Sequence, residues 1–272
     1  MTYFKFGENW KNFSSLIDKE RLVEAEKSLI KLTKKKKLTN LSFLDIGCGS
    51  GLSSLAALKL DCKKIYAIDQ DKDSFETTKK ILKLSGKKNF KIEKKDLFDL
   101  SEKEKFDIVY SWGVLHHTGK MYDAIIKSTK LLKYNGVLIL ALYKKTKLCN
   151  LWKIEKLFYK SAPSIIQNFL KLIFILSFRL AMVVKGKSFS KYLDNYKRKR
   201  GMDFFHDVHD WLGGYPYESI SFEEMQKFMK KNNFKMIRSF QVKKQLEFLE
   251  QVVTNMYSSE DKQNKRILSL LV

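Results

Sequence analysis

The sequence predicts an α/β protein with a doubly wound, mostly parallel sheet, and three observations carry that expectation. From Leu41 to about Tyr143, short apolar runs alternate with amphipathic segments, the rhythm of βαβ units. A glycine-rich run, Gly47-Cys48-Gly49-Ser50-Gly51, follows the first apolar run at the place where strand must turn into helix. After Cys149 the alternation stops and a long helical stretch replaces it.

The elements follow in order. Trp10 to Leu32 carries apolar residues at helical spacing (Phe13, Leu16, Ile17, Leu22, Ala25, Leu29, Ile30), so one or two helices precede the sheet, and the Lys34–Lys37 run ends them. Strands are expected at Phe43–Ile46, Ile65–Ile68, Phe90–Ile92, Phe106–Tyr110 and Val137–Leu142. Asn135-Gly136 supplies a turn between the helix around Ala124–Leu132 and the fifth strand. Pro163 stands at a helix start, since its missing N–H costs nothing there. Ile165–Val184 is strongly apolar, but Gln167, Asn168, Lys171 and Arg179 interrupt it and its charge-free centre is only Leu172–Phe178. A membrane span needs ~20 mainly apolar residues, so this is expected to be a buried or interfacial helix. A basic, turn-like cluster follows (Lys197-Arg198-Lys199-Arg200-Gly201), then a polar and aromatic loop from Met202 to Glu218. Ser221-Phe222-Glu223-Glu224 is a capping box opening a helix, and Phe234–Phe240 is a strand. The tail from Glu250 has no readable pattern. The chain thus divides into a helical cap (1–40), a ligand-binding core (41–145), a helical insertion facing substrate or membrane (146–200), and a substrate loop with the C-terminal completion of the sheet (201–272).

Composition sets limits. With 272 residues and 44% hydrophobic content the chain can bury a sizeable core, and 12 Gly with 2 Pro exclude collagen-like and proline-rich classes. Cys48, Cys62 and Cys149 have no zinc or disulfide spacing, which fits a reducing compartment, and Met1–Trp10 lacks the apolar run of a secretory signal. The expected location is the cytoplasm, with peripheral contact at the inner face of the membrane. Net charge is +23, from 53 basic and 30 acidic residues, which suggests nucleic acid or an anionic membrane as partner. Only 6 of the bases are Arg, however, and Arg is the residue that grips phosphate in a bidentate fork. Lysine bias with few Pro and Arg is what an AT-rich genome produces, so a nucleic-acid partner is not expected.

The most informative segment is Phe43-Leu44-Asp45-Ile46-Gly47-Cys48-Gly49-Ser50-Gly51-Leu52. A dinucleotide fingerprint starting at Gly47 would place its third glycine where Leu52 stands, and here it is Gly51. Asp45, two residues before the first glycine, would not help a pyrophosphate. The run DIGCGSG resembles the first motif of the class I S-adenosylmethionine-dependent methyltransferases at every position. That resemblance implies a Rossmann-like sheet of seven strands and S-adenosylmethionine as cofactor. Its methionine part would lie on Gly47, Cys48, Gly49 and Gly51, with Asp45 near its amino group. Asp69, ending the second strand beside Gln70, would accept the ribose hydroxyls. Asp96 would accept from the adenine amino group with Leu97 as its apolar neighbour, and Ser111 at the end of the fourth strand would join the pocket. No Asn-Pro-Pro-Tyr type motif follows the fourth strand. Ser111-Trp112-Gly113-Val114-Leu115-His116-His117-Thr118-Gly119 is instead similar to small-molecule methyltransferases of the quinone-precursor and sugar-modifying groups. The resemblance covers about 41–143 well and the rest loosely.

All four histidines fall in two segments. His116 and His117 follow the fourth strand, and ligands bind outside the carboxyl ends of parallel strands. Imidazole titrates near neutrality, so His117, closest by resemblance to the transferred methyl, or His116 is a candidate general base. His206-Asp207-Val208-His209-Asp210-Trp211 offers His209 and Asp210 as further proton acceptors, or as a substrate-contact loop. It offers too few convergent ligands for a metal, and none is expected. The Phe4–Phe13 segment is expected either to close over the cofactor or to staple onto the first helix. The leading function is O-methylation of a small-molecule or lipid- or sugar-linked acceptor, with peripheral membrane contact through 164–185. The alternatives are an RNA methyltransferase and an inactive membrane-surface protein that keeps the fold.

Overall fold

The computed structural model describes residues 4, 6–14, 17–200, 203–241, 252–258 and 270–271. Two helices, α1 (Phe6–Ser14) and α2 (Lys19–Thr33), precede the sheet, and Asp18 caps α2 by accepting the Arg21 amide at 2.8 Å. The core then runs β1 (Ser42–Ile46), α3 (Leu52–Lys59), β2 (Lys64–Asp69), α4 (Lys72–Leu84), β3 (Phe90–Lys94), β4 (Phe106–Trp112), α5 (Met121–Lys130) and β5 (Leu132–Tyr143). Three helices form the insertion: α6 (Cys149–Ser161), α7 (Ser164–Val184) with Pro163 immediately before it, and α8 (Phe189–Arg200). The chain returns through α9 (Phe204–Gly213), α10 (Phe222–Lys231), β6 (Lys235–Gln241), β7 (Val252–Ser258) and β8 (Leu270–Leu271).

The strand order is β3-β2-β1-β4-β5-β7-β6. β1 to β5 are mutually parallel and β7 runs antiparallel to both its neighbours. The sheet has eight strands among the described residues where seven were expected, because the two-residue β8 adds to β5. The order reverses between β1 and β4, which opens a crevice at their carboxyl ends.

Period-two alternation sorts side chains to the two faces of the sheet. Leu44, Ile46, Tyr66, Ile68, Val109 and Leu140 pack on one side with α5 and α10, while Phe43, Ile65, Ile108, Tyr110, Ile139 and Ala141 pack on the other with α2 and α3. A third apolar cluster joins the helical insertion to the N-terminus: Phe4, Tyr159, Phe178, Met182, Phe204 and Val208.

Three local expectations are corrected. The loop expected from Met202 to Glu218 contains a helix, α9: the Asp203 carboxylate accepts the Phe205 and His206 amides, and Phe204, Val208 and Leu212 form one buried stripe. Gly213-Gly214 ends that helix rather than belonging to a longer loop. In the expected turn at Lys197–Gly201, the Lys197–Arg200 backbone continues α8, and Gly201 lies outside the described residues. Asn135, expected between helix and strand, has φ of 62° inside the first part of β5. The Ser221 capping box forms as expected, with Ser221 Oγ accepting the Glu224 amide at 3.1 Å and Glu224 accepting the Ser221 amide at 2.9 Å.

Candidate active site

A cavity of about 640 Å³ lies over the carboxyl ends of β1, β2 and β4. The loop after β1 forms one wall. Amides of Gly47 and Cys48 donate to the Ile68 carbonyl at 2.9 and 3.1 Å, which ties this loop to the end of β2. Gly47 and Gly49 have φ of 70° and 55°. A Cβ at Gly47 would lie 2.5 Å from a Val114 methyl, and one at Gly49 would meet the Trp10 ring at 3.2 Å, so these glycines let neighbours approach as well as permitting the turn.

Carboxylates surround the loop. Asp45 is buried and accepts Ser54 Oγ at 2.6 Å; burial pushes its pKa up to about 7 against the effect of that bond. Asp69 Oδ2 accepts the Gly49 amide at 3.0 Å and its Oδ1 the Asp71 amide at 2.9 Å. Burial raises Asp69 to about 6, opposed by those backbone bonds. Asp96 caps the single helical turn Leu97–Asp99, accepting the Phe98 amide at 2.9 Å, and Leu97 lies beside it in the cavity wall. Gln70 is exposed at the rim. The wall as a whole carries Glu24, Asp45, Asp69, Asp71, Asp96, Asp207 and Asp210 against only Lys31 and Lys95, an inversion of sign in a chain of net charge +23.

The opposite wall is the histidine pair, on a single helical turn (Leu115–His117) just past β4. His117 Nδ1 donates to the Pro216 carbonyl at 2.7 Å, an assignment fixed because a carbonyl can only accept. The basic nitrogen is therefore Nε2. His116 is buried with neither ring nitrogen partnered, its ring 3.9 Å from that of Tyr143. Burial drives both imidazoles toward the neutral form, His117 to about 3 and His116 well below its ordinary value, and the Lys156 ammonium adds to both shifts.

The roof comes from the N-terminus and α9. Phe4, Phe6 and Trp10 line the cavity, with Phe6 4.9 Å from the His117 ring and the Phe4 amide donating to Tyr215 O at 3.0 Å. Of the two alternatives for this segment, closure over the cavity is the arrangement present. Asn9 Nδ2 donates to Asp210 Oδ1 and to His206 O, both at 2.9 Å, tying α1 to α9. Burial, and the neighbouring Asp207, raise the Asp210 pKa strongly, against the Asn9 hydrogen bond and the Lys156 charge.

Asp45, Gly47, Cys48, Gly49, Asp69, Gln70, Asp96, Leu97, His116, His117 and Asp210 thus share one cavity. Three expected site residues lie outside its wall. Ser111 is fully buried and donates to Ile46 O at 3.3 Å, joining β4 to β1. Gly51, with φ of 78°, starts α3 against Thr78. His209 points away on α9, its Nδ1 2.7 Å from Tyr159 OH, because residues one position apart on a helix cannot share a face with Asp210.

Sequence reasoning missed Lys156 and Tyr143. Lys156, on α6, is buried, donates to the Trp211 carbonyl, and sits 5.3 and 5.8 Å from the Tyr217 and Tyr143 rings. Burial lowers it to about 8, opposed mainly by Glu155 and Asp210. One lysine in a lysine-rich chain carries no signal that marks it as buried.

Comparison with known proteins identifies the family. Residues 37–197 match a family described as "Methyltransferase domain". A ubiquinone biosynthesis O-methyltransferase of Pelagibacter ubique is 34% identical over 114 residues, 41% of this chain and 45% of that protein. A ribosomal protein L11 methyltransferase of Legionella pneumophila is 51% identical over 41 residues, 15% of this chain and 14% of its own length. Among solved structures, PKMT2 from Rickettsia typhi in complex with AdoHcy superposes with a TM-score of 0.54 at 21% identity, over 79% of this chain and 44% of that one. The chain therefore spans less than half the length of each of these relatives.

Proposed function

The chain belongs to the methyltransferase-domain family, the class I type that its first motif resembles, and from that premise we propose that it is an S-adenosylmethionine-dependent methyltransferase acting on an oxygen of a small-molecule or lipid- or sugar-linked acceptor. The observation that carries the reading is the acidic cavity in a basic protein: seven wall carboxyl groups face two lysines around a glycine loop. A cofactor bearing a sulfonium and an ammonium fits that wall, and a polyanion does not, which disfavours RNA as acceptor.

In this reading Asp45 faces the ammonium, Asp69 the ribose hydroxyls, and Asp96 with Leu97 the adenine. The cofactor supplies a methyl group made electrophilic by the sulfonium. The protein supplies position and a proton acceptor. Residues from β1, β4, α1 and α9 line one cavity, and holding acceptor and methyl together there saves the entropy cost of free encounter. Because Nδ1 of His117 is committed to Pro216, its Nε2 is the nitrogen that takes the acceptor's hydroxyl proton, as a weak base whose pKa burial pushes down to about 3. His116, whose two ring nitrogens are sealed from the cavity space, packs 4.2 Å from the His117 ring and supports its position. Asp210 accepts the Asn9 side-chain amide at 2.9 Å and so holds α1 to α9 over the cavity. The name of the Pelagibacter relative supports oxygen over nitrogen as the nucleophile.

Two experiments test this. Calorimetry with S-adenosylmethionine should give binding by the wild type and none by Asp69→Ala; equal binding removes the cofactor assignment. A screen of hydroxylated acceptors that follows S-adenosylhomocysteine should give product with phenolic or sugar hydroxyls, and product with RNA alone would overturn the acceptor class.

A further inference from the structure

We infer that the outer face of α6 and α7 docks on an anionic lipid bilayer, with α7 lying in the plane of the interface. The inference does not depend on methyl transfer. Among the described residues, thirteen of the twenty-one exposed large apolar side chains lie on these two helices. On α7 they form one stripe at helical spacing, in which Ile165, Phe169, Leu176 and Leu180 are 81%, 61%, 53% and 65% exposed. Leu151, Ile154 and Phe158 extend the patch along α6. Contiguous apolar surface of this extent marks a contact site.

The opposite face of α7 decides how it meets the bilayer. Phe178 and Met182 are buried against the third cluster with Phe204 and Val208 of α9. The helix has the length and hydropathy to cross a membrane, 21 residues holding an 18-residue stretch of mean hydropathy 1.6, but crossing would strip that packing away. Lying flat keeps it and gives the exposed stripe to the acyl boundary.

Charge selects the occupant. Between Cys149 and Lys191 the chain has eight bases and one acid, Glu155, which is half-buried beside Lys156. Lys153, Arg179, Lys185, Lys187 and Lys191 are exposed around the apolar patch. A basic rim around an apolar centre is complementary to anionic headgroups over acyl chains. A second copy of this chain would bring an identical basic rim against the first, so self-association is disfavoured.

The test is co-sedimentation of the full chain with vesicles of phosphatidylcholine and phosphatidylglycerol in equal parts, beside pure phosphatidylcholine. Pelleting is expected with the anionic vesicles and at least tenfold weaker partitioning into the neutral ones. Phe169→Ser with Leu176→Ser and Leu180→Ser, all at exposed positions, should lower partitioning at least tenfold while far-UV circular dichroism stays unchanged. Lys185→Glu with Lys187→Glu should lower it more than tenfold on anionic vesicles. Failure of the wild type to pellet, or equal pelleting of the serine variant, overturns the inference. So does a micromolar dimer in light scattering that the serine variant abolishes, since a second copy would then cover the face.

Discussion

Replacing Asp45 by Asn isolates the cost of keeping a carboxyl group in the cavity wall. Asp45 is buried, and its pKa moves from an ordinary 3.8 to about 7, chiefly by burial. Between those values the folded protein holds a proton that the unfolded chain has released, so stability falls as pH rises through this window. At about 1.4 kcal/mol per pKa unit, the loss accumulated between about pH 5 and pH 8 is on the order of 2.5 kcal/mol, levelling off above about 7. Asn fits the site and its amide oxygen accepts the same Ser54 hydroxyl, now at 2.6 Å from Asp45, but it does not titrate. Urea unfolding of wild type and Asp45→Asn across this range should therefore give a stability difference that grows by about 2.5 kcal/mol in favour of Asn. Saturating S-adenosylmethionine should restore the wild type at the alkaline end, by about 2.7 kcal/mol at 100 times Kd, and leave the variant unchanged. A difference that stays flat with pH, or a variant that the cofactor stabilises equally, would refute the placement of a desolvated carboxyl without a counter-charge at the cavity.

Four further outcomes are expected. Because Asp45 and Asp69 titrate at about 7 and about 6 and a cationic ligand needs their ionised forms, calorimetric affinity for S-adenosylmethionine should weaken as pH falls through that range; constant affinity contradicts it. Gly49→Ala places a methyl 3.2 Å from the Trp10 ring at a φ of 55°, so it should cost about 1–2 kcal/mol and shift Trp fluorescence; an unchanged denaturation midpoint argues against the close approach. His117→Gln should reduce kcat by roughly 10²–10⁴ with cofactor affinity intact, and full activity would remove it as the base. Lys156→Gln deletes an ammonium that adds to burial in holding both imidazoles down, so the acidic limb of the rate profile should move to higher pH, and a limb that moves down or stays put counts against that coupling.

Much of the core was legible because its signals are local. Apolar runs separated by amphipathic segments give βαβ units, and the spacing Asp45-Ile46-Gly47-Cys48-Gly49-Ser50-Gly51 names the loop whose backbone must turn with positive φ. Asp69 and Asp96 were picked out for the same reason, since Asp69 ends β2 and Asp96 follows β3 by two residues, where it caps the next turn. α9 was not, because glycines and aromatics carry a loop signal, and what holds the helix is the Asp203 cap together with the joint burial of Phe204, Val208 and Leu212. His209 and Asp210 looked like a pair in the sequence, and the helix turns them to different neighbours.

The sequence by itself determined the fold class, the glycine loop, the acidic residues that follow successive strands, and a histidine pair at the carboxyl edge of the sheet. All of these are fixed by periodicity and by position along one strand and its next turn. Only the tertiary structure decided the electrostatic sign of the cavity, because the +23 of the chain is spread over an outer surface while carboxylates from five separate segments converge inside. It also decided which histidine nitrogen is basic, through Pro216 lying 99 residues away in the chain, and it buried Lys156 beside that pair. Such contacts join groups far apart in sequence, and residue order alone holds no record of their distance.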